Sequence, residues 1–131
     1  MRKILTIIAL VCCAVLLQAQ YYSTGSDPGF LSWYQINTDH FKVIFPSDFQ
    51  PQAQRMANIL EQSYTIVPKT LNSNLPQTQV IVHSKSSISN GVTAWAPRRI
   101  ELFPVPNQSN FYNHDWLEQL AVHEYRHICQ F

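Results

Sequence analysis

The last segment of the sequence places two histidines four residues apart in the motif H-E-x-x-H. The motif consists of His123, Glu124 and His127, and it lies in a largely apolar stretch over residues 116–129. Each residue of an α-helix turns by about 100°, so the two imidazoles point within about 40° of each other, one turn apart. Apolar residues surround the motif on most sides. The segment therefore predicts a helix that is buried nearly all round, histidines included.

This spacing is that of a zinc site with an adjacent base. Two imidazoles so placed can bind one tetrahedral Zn²⁺ at about 2.0–2.1 Å. Glu124 lies about 100° round the helix from His123, where it can reach a water at the metal without being a ligand. The motif predicts zinc-dependent hydrolysis of a peptide bond, with His123 and His127 as metal ligands and Glu124 as the catalytic general base. The alternative is a structural polar cluster, satisfied by Arg126 and neighbouring groups.

Two histidines do not complete a catalytic zinc site, which usually has three protein ligands and a water. The extended motif with a third histidine is excluded, because Gln130 stands where its glycine would be. Cys129 points about 160° away from His127 around the helix and is a poor ligand. The simplest expectation is a third ligand beyond Phe131. The candidates within the chain are His40, His83, His114 and Asp115.

The first nineteen residues have the pattern of a secretory signal peptide. Arg2 and Lys3 form a positive start, residues 4–17 are apolar apart from Thr6, and Ala19 provides a small residue for cleavage. The apolar stretch is shorter than the about 20 residues that a membrane-spanning helix needs. The sequence predicts export to the periplasm, the cell envelope or the outside of the cell, with no transmembrane helix after cleavage.

The charge and cysteine content of the mature chain argue against nucleic-acid binding and against stabilisation by an internal disulfide. Removal of Arg2 and Lys3 leaves seven basic against eight acidic residues, from 9 and 8 in the whole chain. Nucleic-acid binding needs a basic face, so we expect none. Cys12 and Cys13 leave with the signal peptide, and neither follows the small residue of a lipobox. Cys129 alone forms no internal disulfide, so stability must come from a core, a metal or further chain.

The first half of the mature chain predicts two strands and a helix. Aromatic and β-branched residues over 33–36 and 40–45 indicate strands joined by a turn at 37–39. Apolar residues then recur at helical spacing over 53–67, and this helix is expected to end or kink at Pro68. Its expected start has Ser47 and Asp48 as caps and Pro51 in the first turn.

The second half predicts three strands and the motif helix. Strands are expected over 79–83, 92–96 and 99–103, with a turn at Asn90-Gly91 and with Pro97 between the last two strands. Asp115 and Glu118 are typical of a capping box at the start of the last helix. The order β-β-α-β-β-β-α predicts an α+β domain over 33–131 with a mixed or antiparallel sheet and two main helices, after a linker at 20–32.

Four segments resemble the start of the catalytic domain of gluzincin-type zinc peptidases. They are Thr38-Asp-His-Phe-Lys-Val-Ile-Phe, Asn90-Gly91, Arg99-Ile-Glu-Leu-Phe and Asp115-Trp-Leu-Glu-Gln-Leu-Ala-Val-His-Glu-Tyr-Arg-His. The sequence is similar to the peptidase MA-like domain of large exported bacterial proteins, in which a TolB-like β-propeller follows. The resemblance covers about residues 33–131. It implies a zincin-like domain of which this chain is the N-terminal part, a third zinc ligand from a Glu on a following helix, and a downstream propeller.

The resemblance also implies where a peptide or protein substrate binds. Residues 92–103 would hold the edge strand beside the cleft, where an extended peptide can add as a further strand. The substrate-binding residues would be Val92, Thr93, Ala94 and Trp95, and Asn90 and Gly91 would shape the turn that leads into them.

Three functional hypotheses follow from the sequence. The first is an exported zinc metallopeptidase, incomplete in this chain. The second is a non-catalytic envelope module for binding or scaffolding that keeps a zincin-like fold, and it is motivated by the missing third ligand. The third is a small exported domain with a structural metal or none. A Glu or His near the site beyond Phe131 would separate the first two.

Overall fold

A computed structural model describes residues 27–71, 75–106 and 115–130, which form an α+β fold. The predicted signal peptide, most of the predicted linker, and His114 lie outside these ranges. The strands are β1 (Trp33–Asn37), β2 (Phe41–Pro46), β3 (Thr78–Val82), β4 (Ser89–Ala94) and β5 (Arg99–Pro104). The helices are α1 (Gln50–Tyr64), α2 (Val67–Leu71) and α3 (Trp116–Ile128), and a 3₁₀ turn (Ser47–Phe49) precedes α1. The predicted order of elements is confirmed, with the short α2 as an addition.

The five strands form one mixed sheet in the order β1-β2-β3-β5-β4. The central pairs, β2 with β3 and β3 with β5, are parallel, and the outer pairs are antiparallel. The chain from β2 to β3 passes through α1, as a parallel pair requires, since a tight turn cannot join parallel strands. The next two strands form a hairpin. Because β5 takes the inner position, β4 is left at the edge of the sheet.

One face of the sheet is covered by α1 and α3, and the core lies between them. Side chains alternate along a strand, so every second residue of β2, β3 and β5 faces this core. Helical spacing of three and four residues places one apolar side of each helix against them. The fully buried members from the sheet are Phe41, Val43, Val80, Val82, Ile100 and Leu102, and those from the helices are Ala53, Ala57, Leu60, Ala121, Tyr125 and Ile128.

The opposite face of the sheet carries a buried polar cluster. His83 follows β3, and its Nδ1 donates to Asp27 Oδ2 at 2.5 Å, while its Nε2 lies 3.4 Å from Glu101 Oε2. Arg99 Nε donates to the other oxygen of Glu101 at 2.6 Å. The imidazole stacks on Phe103 with ring centroids 4.7 Å apart. Through the hydrogen bond between Asp27 and His83, this cluster holds the chain before β1 against the sheet.

The start and the end of α1 differ from the prediction. Neither Ser47 nor Asp48 caps the helix, because the N-cap position is Phe49 and Asp48 pairs instead with Lys85. The pKa of Asp48 is lowered by the hydrogen bond from Lys85. Pro51 does lie in the first turn, as predicted.

The helix ends at Tyr64, before Pro68, which lies inside α2. Pro68 has no N–H to donate to the carbonyl of Tyr64 four residues earlier, so a continuous α-helix would lose that bond. The chain instead turns after Ser63, whose carbonyl accepts the N–H of Ile66 at 3.0 Å.

The predicted turn at Asn90-Gly91 is wrong. Both residues lie inside β4, where Asn90 pairs with Phe103 and Gly91 with Leu102. The strand therefore begins three residues earlier than predicted and ends at Ala94, and Trp95 belongs to the turn of the hairpin. A glycine is needed within this strand because of a close approach by α3, described below.

We expect Glu101→Gln to lower the free energy of unfolding by about 3 kcal/mol, because it removes one charge from a cluster that is otherwise shielded from water. Only 3% of the Glu101 side chain is exposed. The matched control is Asp48→Asn, which breaks a pair whose Asp48 side chain is 51% exposed and should leave the urea midpoint unchanged. Equal midpoints for the two variants would contradict a stabilising role for the cluster.

Candidate metal and catalytic site

The motif helix α3 is held at its first turn by a cap and by an ion pair to α1. Asp115 is the N-cap, and its Oδ1 accepts the N–H of Leu117 at 2.9 Å. Glu118 does not complete the predicted capping box, because it accepts from Arg55 Nη2 at 2.5 Å. Arg55 Nη2 also lies 3.4 Å from Asp115 Oδ2. The cap prediction is thus confirmed for Asp115 and wrong for Glu118.

The helix is buried on one side only. Leu117, Leu120, Ala121, Tyr125 and Ile128 face the core, whereas His123 and Arg126 are exposed and His127 is half-buried. The prediction of a helix buried nearly all round, histidines included, is wrong for the described residues. The physical reason is that α1 and the sheet cover one side of α3, and no described element packs over the stripe of His123 and His127.

The two imidazoles of the motif converge. Nε2 of His123 lies 3.2 Å from Nε2 of His127, and the ring planes are 84° apart. Two ligands of a tetrahedral Zn²⁺ at about 2.0–2.1 Å lie about 3.3–3.4 Å from each other, so the separation fits a shared zinc ion. The same separation suits an N–H···N hydrogen bond, which the two rings would give up on binding one metal ion, the proton of the donor ring then being carried by its Nδ1.

The tautomer of His127 is set by Gln130. Its Nδ1 lies 3.0 Å from Gln130 Oε1, and an amide oxygen only accepts, so Nδ1 carries the proton. The lone pair of a neutral His127 is then on Nε2, the nitrogen that faces His123. Metal-binding histidines commonly donate their second N–H in this way. The two nitrogens therefore fit zinc in position, and His127 also fits it in its tautomer.

Glu124 lies beside the histidine pair and is 6% exposed. Its Oε2 lies 2.7 Å from the hydroxyl of Thr93 on β4, and the same hydroxyl lies 3.0 Å from the main-chain oxygen of Glu124. A Cβ at Gly91 would lie 2.7 Å from Cγ and from Oε1 of Glu124. The absence of a side chain at Gly91 is therefore what lets α3 approach the edge strand.

A pocket of about 380 Å³ opens next to this carboxylate. It is bounded by the edge strand, by the first turns of α3 and by the motif itself. Its lining residues are Asn90, Gly91, Trp116, Gln119, Leu120, His123 and Glu124. The side chains of His123 and Glu124 thus line one space large enough for a side chain or a peptide group.

The four predicted substrate-binding residues lie at different positions. Only Thr93 faces Glu124. Val92 and Ala94 pair with Glu101 and Arg99 and share their face of the sheet, away from α3. Trp95 is 70% exposed in the hairpin turn. The pocket is instead lined by residues of α3 and by Asn90 and Gly91.

A third zinc ligand is not assembled within residues 27–71, 75–106 and 115–130, where no group of three His, Cys, Asp or Glu side chains is placed to hold a metal. His83 is held by Asp27 and Glu101, Asp115 caps α3, and Cys129 is buried in the core.

The remaining described candidate, His40, donates from Nδ1 to Glu61 Oε2 at 2.7 Å. Burial acts to raise the pKa of Glu61, but hydrogen bonds from Thr38 and His40 outweigh it and leave that pKa below its usual value. His40 is therefore engaged as the partner of a carboxylate, and its ring stacks on Tyr64.

The sequence does not predict that Gly91 and Thr93 contact Glu124. The available signal was their spacing, since residues two apart on a strand share a face. The sequence does not show which helix that face meets, because the contact joins residues 31 positions apart.

No protein-family model, no curated protein and no solved structure matches this chain. In the described parts of the chain, none of the helices has the length and apolar content needed to cross a bilayer. The geometry and chemistry of the side chains themselves therefore carry the functional inference.

Gly91→Ala is expected to lower the free energy of unfolding by about 1–3 kcal/mol, because the added methyl group overlaps Glu124 and forces the strand or the carboxylate to move. The matched control is Gly29→Ala, since a Cβ at Gly29 has nothing within 4 Å. Urea unfolding of both variants measures the difference.

The same substitution of Gly91 can also be made in the variant Glu124→Ala. Truncation of the overlapping side chain in Glu124→Ala should remove most of the cost of the alanine at position 91. An unchanged cost in that background would show that the overlap with Glu124 is not its cause.

Proposed function

We propose that this protein is an exported zinc-dependent metallopeptidase. In this proposal His123 and His127 bind zinc through Nε2, and Glu124 is the general base. The observation that carries it is the 3.2 Å separation of the two Nε2 atoms, beside a carboxylate that lines the same pocket as His123. Export rests on the signal-peptide pattern of residues 1–19.

The described residues supply the acid–base part of the chemistry. A zinc ion bound here supplies positive charge that polarises a scissile carbonyl and activates water. Glu124 accepts the proton of the attacking water and then donates it to the leaving amine. Gln130 holds His127 in the tautomer that leaves Nε2 free to bind.

The edge strand supports a peptide as the substrate class. β4 pairs with β5 on one side, and among the described strands none lies on its other side. Main-chain groups on the open side of an edge strand can pair with an extended peptide, which would cross the pocket beside Glu124. Nucleic acid is not part of the proposal, because the mature chain has a near-neutral charge.

The zincin-like fold belongs to the same proposal. Its support is the packing of a helix that carries H-E-x-x-H against an antiparallel edge strand of a mixed sheet. The third zinc ligand would come from a side chain outside the described residues, as the resemblance to gluzincins implies.

A second candidate is a non-catalytic envelope module for binding or scaffolding. The exposure of His123 and the presence of only two converging nitrogens among the described residues favour it. Such a module would keep the fold and the pocket, and would bind a peptide or a metal without cleaving a bond.

We expect the full-length mature protein to bind one zinc ion per chain, and His123→Ala and His127→Ala each to lose it, because each removes one ligand. The control is His40→Gln, which removes an imidazole bound to Glu61 and should keep the zinc. Metal analysis after dialysis gives the stoichiometry.

Glu124→Gln should keep the zinc and lose peptide hydrolysis by about 10²–10⁴-fold, because an amide cannot accept the proton of water. Cleavage of a diverse peptide library, followed by mass spectrometry, measures this loss. Full activity of Glu124→Gln would contradict the mechanism. Zinc bound by the unmodified protein with no cleavage of any peptide would favour the binding module.

A further inference from the structure

Two residues of the edge strand, Thr93 and Gly91, pack against the buried carboxylate of Glu124. Thr93 Oγ1 is 2.7 Å from Oε2, which is hydrogen-bond distance for a hydroxyl and a carboxylate. On the next residue of the same strand face, Gly91 presents only hydrogen atoms to Cγ, Cδ and Oε1. Thr93 therefore holds the carboxylate by a hydrogen bond, whereas Gly91 leaves room for it because it has no side chain.

The two oxygens of Glu124 have different neighbours on the edge strand. Oε2 is occupied by the hydroxyl of Thr93. Oε1 lies over Gly91, and both Gly91 and Glu124 line the pocket of about 380 Å³. A hydrogen bond between a hydroxyl and an ionised carboxylate is stronger than one between neutral groups, so the anchored oxygen is the less free of the two.

A long side chain needs such an anchor in order to act as a base. Glutamate has three rotatable bonds, and loss of rotamer freedom on burial costs up to about 1.5–2 kcal/mol. General-base catalysis requires the accepting oxygen to stay within hydrogen-bond reach of the proton. The hydroxyl of Thr93 has a single hydrogen, which Oε2 shares with the main-chain oxygen of Glu124 at 3.0 Å, so both acceptors of this hydrogen belong to the helix residue.

We propose that Thr93 is a positioning residue for the reaction: its hydroxyl anchors Oε2 of Glu124 and leaves Oε1 as the oxygen that accepts the proton in the pocket. Gly91 provides the space for Oε1. This inference rests on the proposed peptidase function. It assigns Thr93 a role toward the base, in place of the substrate contact that the resemblance implies.

The test uses the full-length zinc-loaded protein and two variants of Thr93. Thr93→Val keeps the shape and loses the hydroxyl, and it should lower kcat by about 10–100-fold, the range typical of groups that orient a site residue. KM and zinc affinity should stay within twofold, because neither the pocket nor the ligands change. Thr93→Ser keeps the hydroxyl and should restore kcat to near the unmodified value.

Thr78→Val is the matched control. It makes the same substitution at a buried strand threonine, whose hydroxyl contacts the carbonyl of Pro76 instead of the site. This variant should keep kcat. An unchanged kcat in Thr93→Val, or an equal loss in Thr78→Val and Thr93→Val, would overturn the proposal.

A readout without activity separates this proposal from the proposed function. In urea unfolding of the zinc-free protein, Thr93→Val should lower the midpoint more in the unmodified background than in Glu124→Ala, where only the contact with the main-chain oxygen of residue 124 remains. If the shifts in midpoint caused by Thr93→Val and Glu124→Ala simply add in the double variant, Thr93 does not anchor Glu124, whatever the activity. Non-additive midpoints in a zinc-loaded protein that cleaves no peptide would support the anchor and overturn the peptidase function.

Discussion

The close approach of α3 to the edge strand β4 is the contact on which the candidate site depends. At this point the strand has no side chain at Gly91 and a single hydroxyl at Thr93, and the buried carboxylate of Glu124 fills the space between them. A larger residue at position 91 would push the helix from the sheet. The same contact places Glu124 next to the pocket and aligns the motif helix with an open strand edge.

The histidine pair follows from helix geometry and from the side of α3 that remains uncovered. Leu117, Leu120, Ala121 and Ile128 are buried in the core, and the four-residue spacing places His123 and His127 together at the margin of this buried side, with His127 about 20° from Leu120 around the helix. There the Nε2 atoms approach to 3.2 Å, and Gln130 fixes the proton of one ring on the far nitrogen. Packing thus buries Glu124 against β4 and leaves His123 exposed and His127 half-buried beside it.

Local signals in the sequence predict the elements better than their ends. Alternating apolar residues and helical spacing gave the order of strands and helices, and Asp115 marked the start of α3 correctly. The dipeptide Asn90-Gly91 has the composition of a turn, yet it lies within a strand because the glycine is required by the approach of α3. That requirement comes from a tertiary contact, and no window of neighbouring residues contains it.

The polar clusters show the same limit of local reasoning. His83, Asp27 and Glu101 come from three separate segments, and nothing near any of them in the sequence indicates the contacts that they form. The expectation of buried histidines in the motif failed for a related reason, since burial depends on which elements pack over a helix. In contrast, the convergence of His123 and His127 is set by spacing along one helix, so it was predictable from the sequence.

The proposed function requires that His123 and His127 share one zinc ion. X-ray absorption at the zinc edge of the full-length mature protein tests it most directly, because the fine structure reports the number of imidazole ligands and their distance. We expect two imidazole nitrogens at about 2.0–2.1 Å from the zinc, both lost when His123 and His127 are replaced by alanine. A protein without zinc, or zinc whose spectrum contains no imidazole and is unchanged in that double variant, would contradict it.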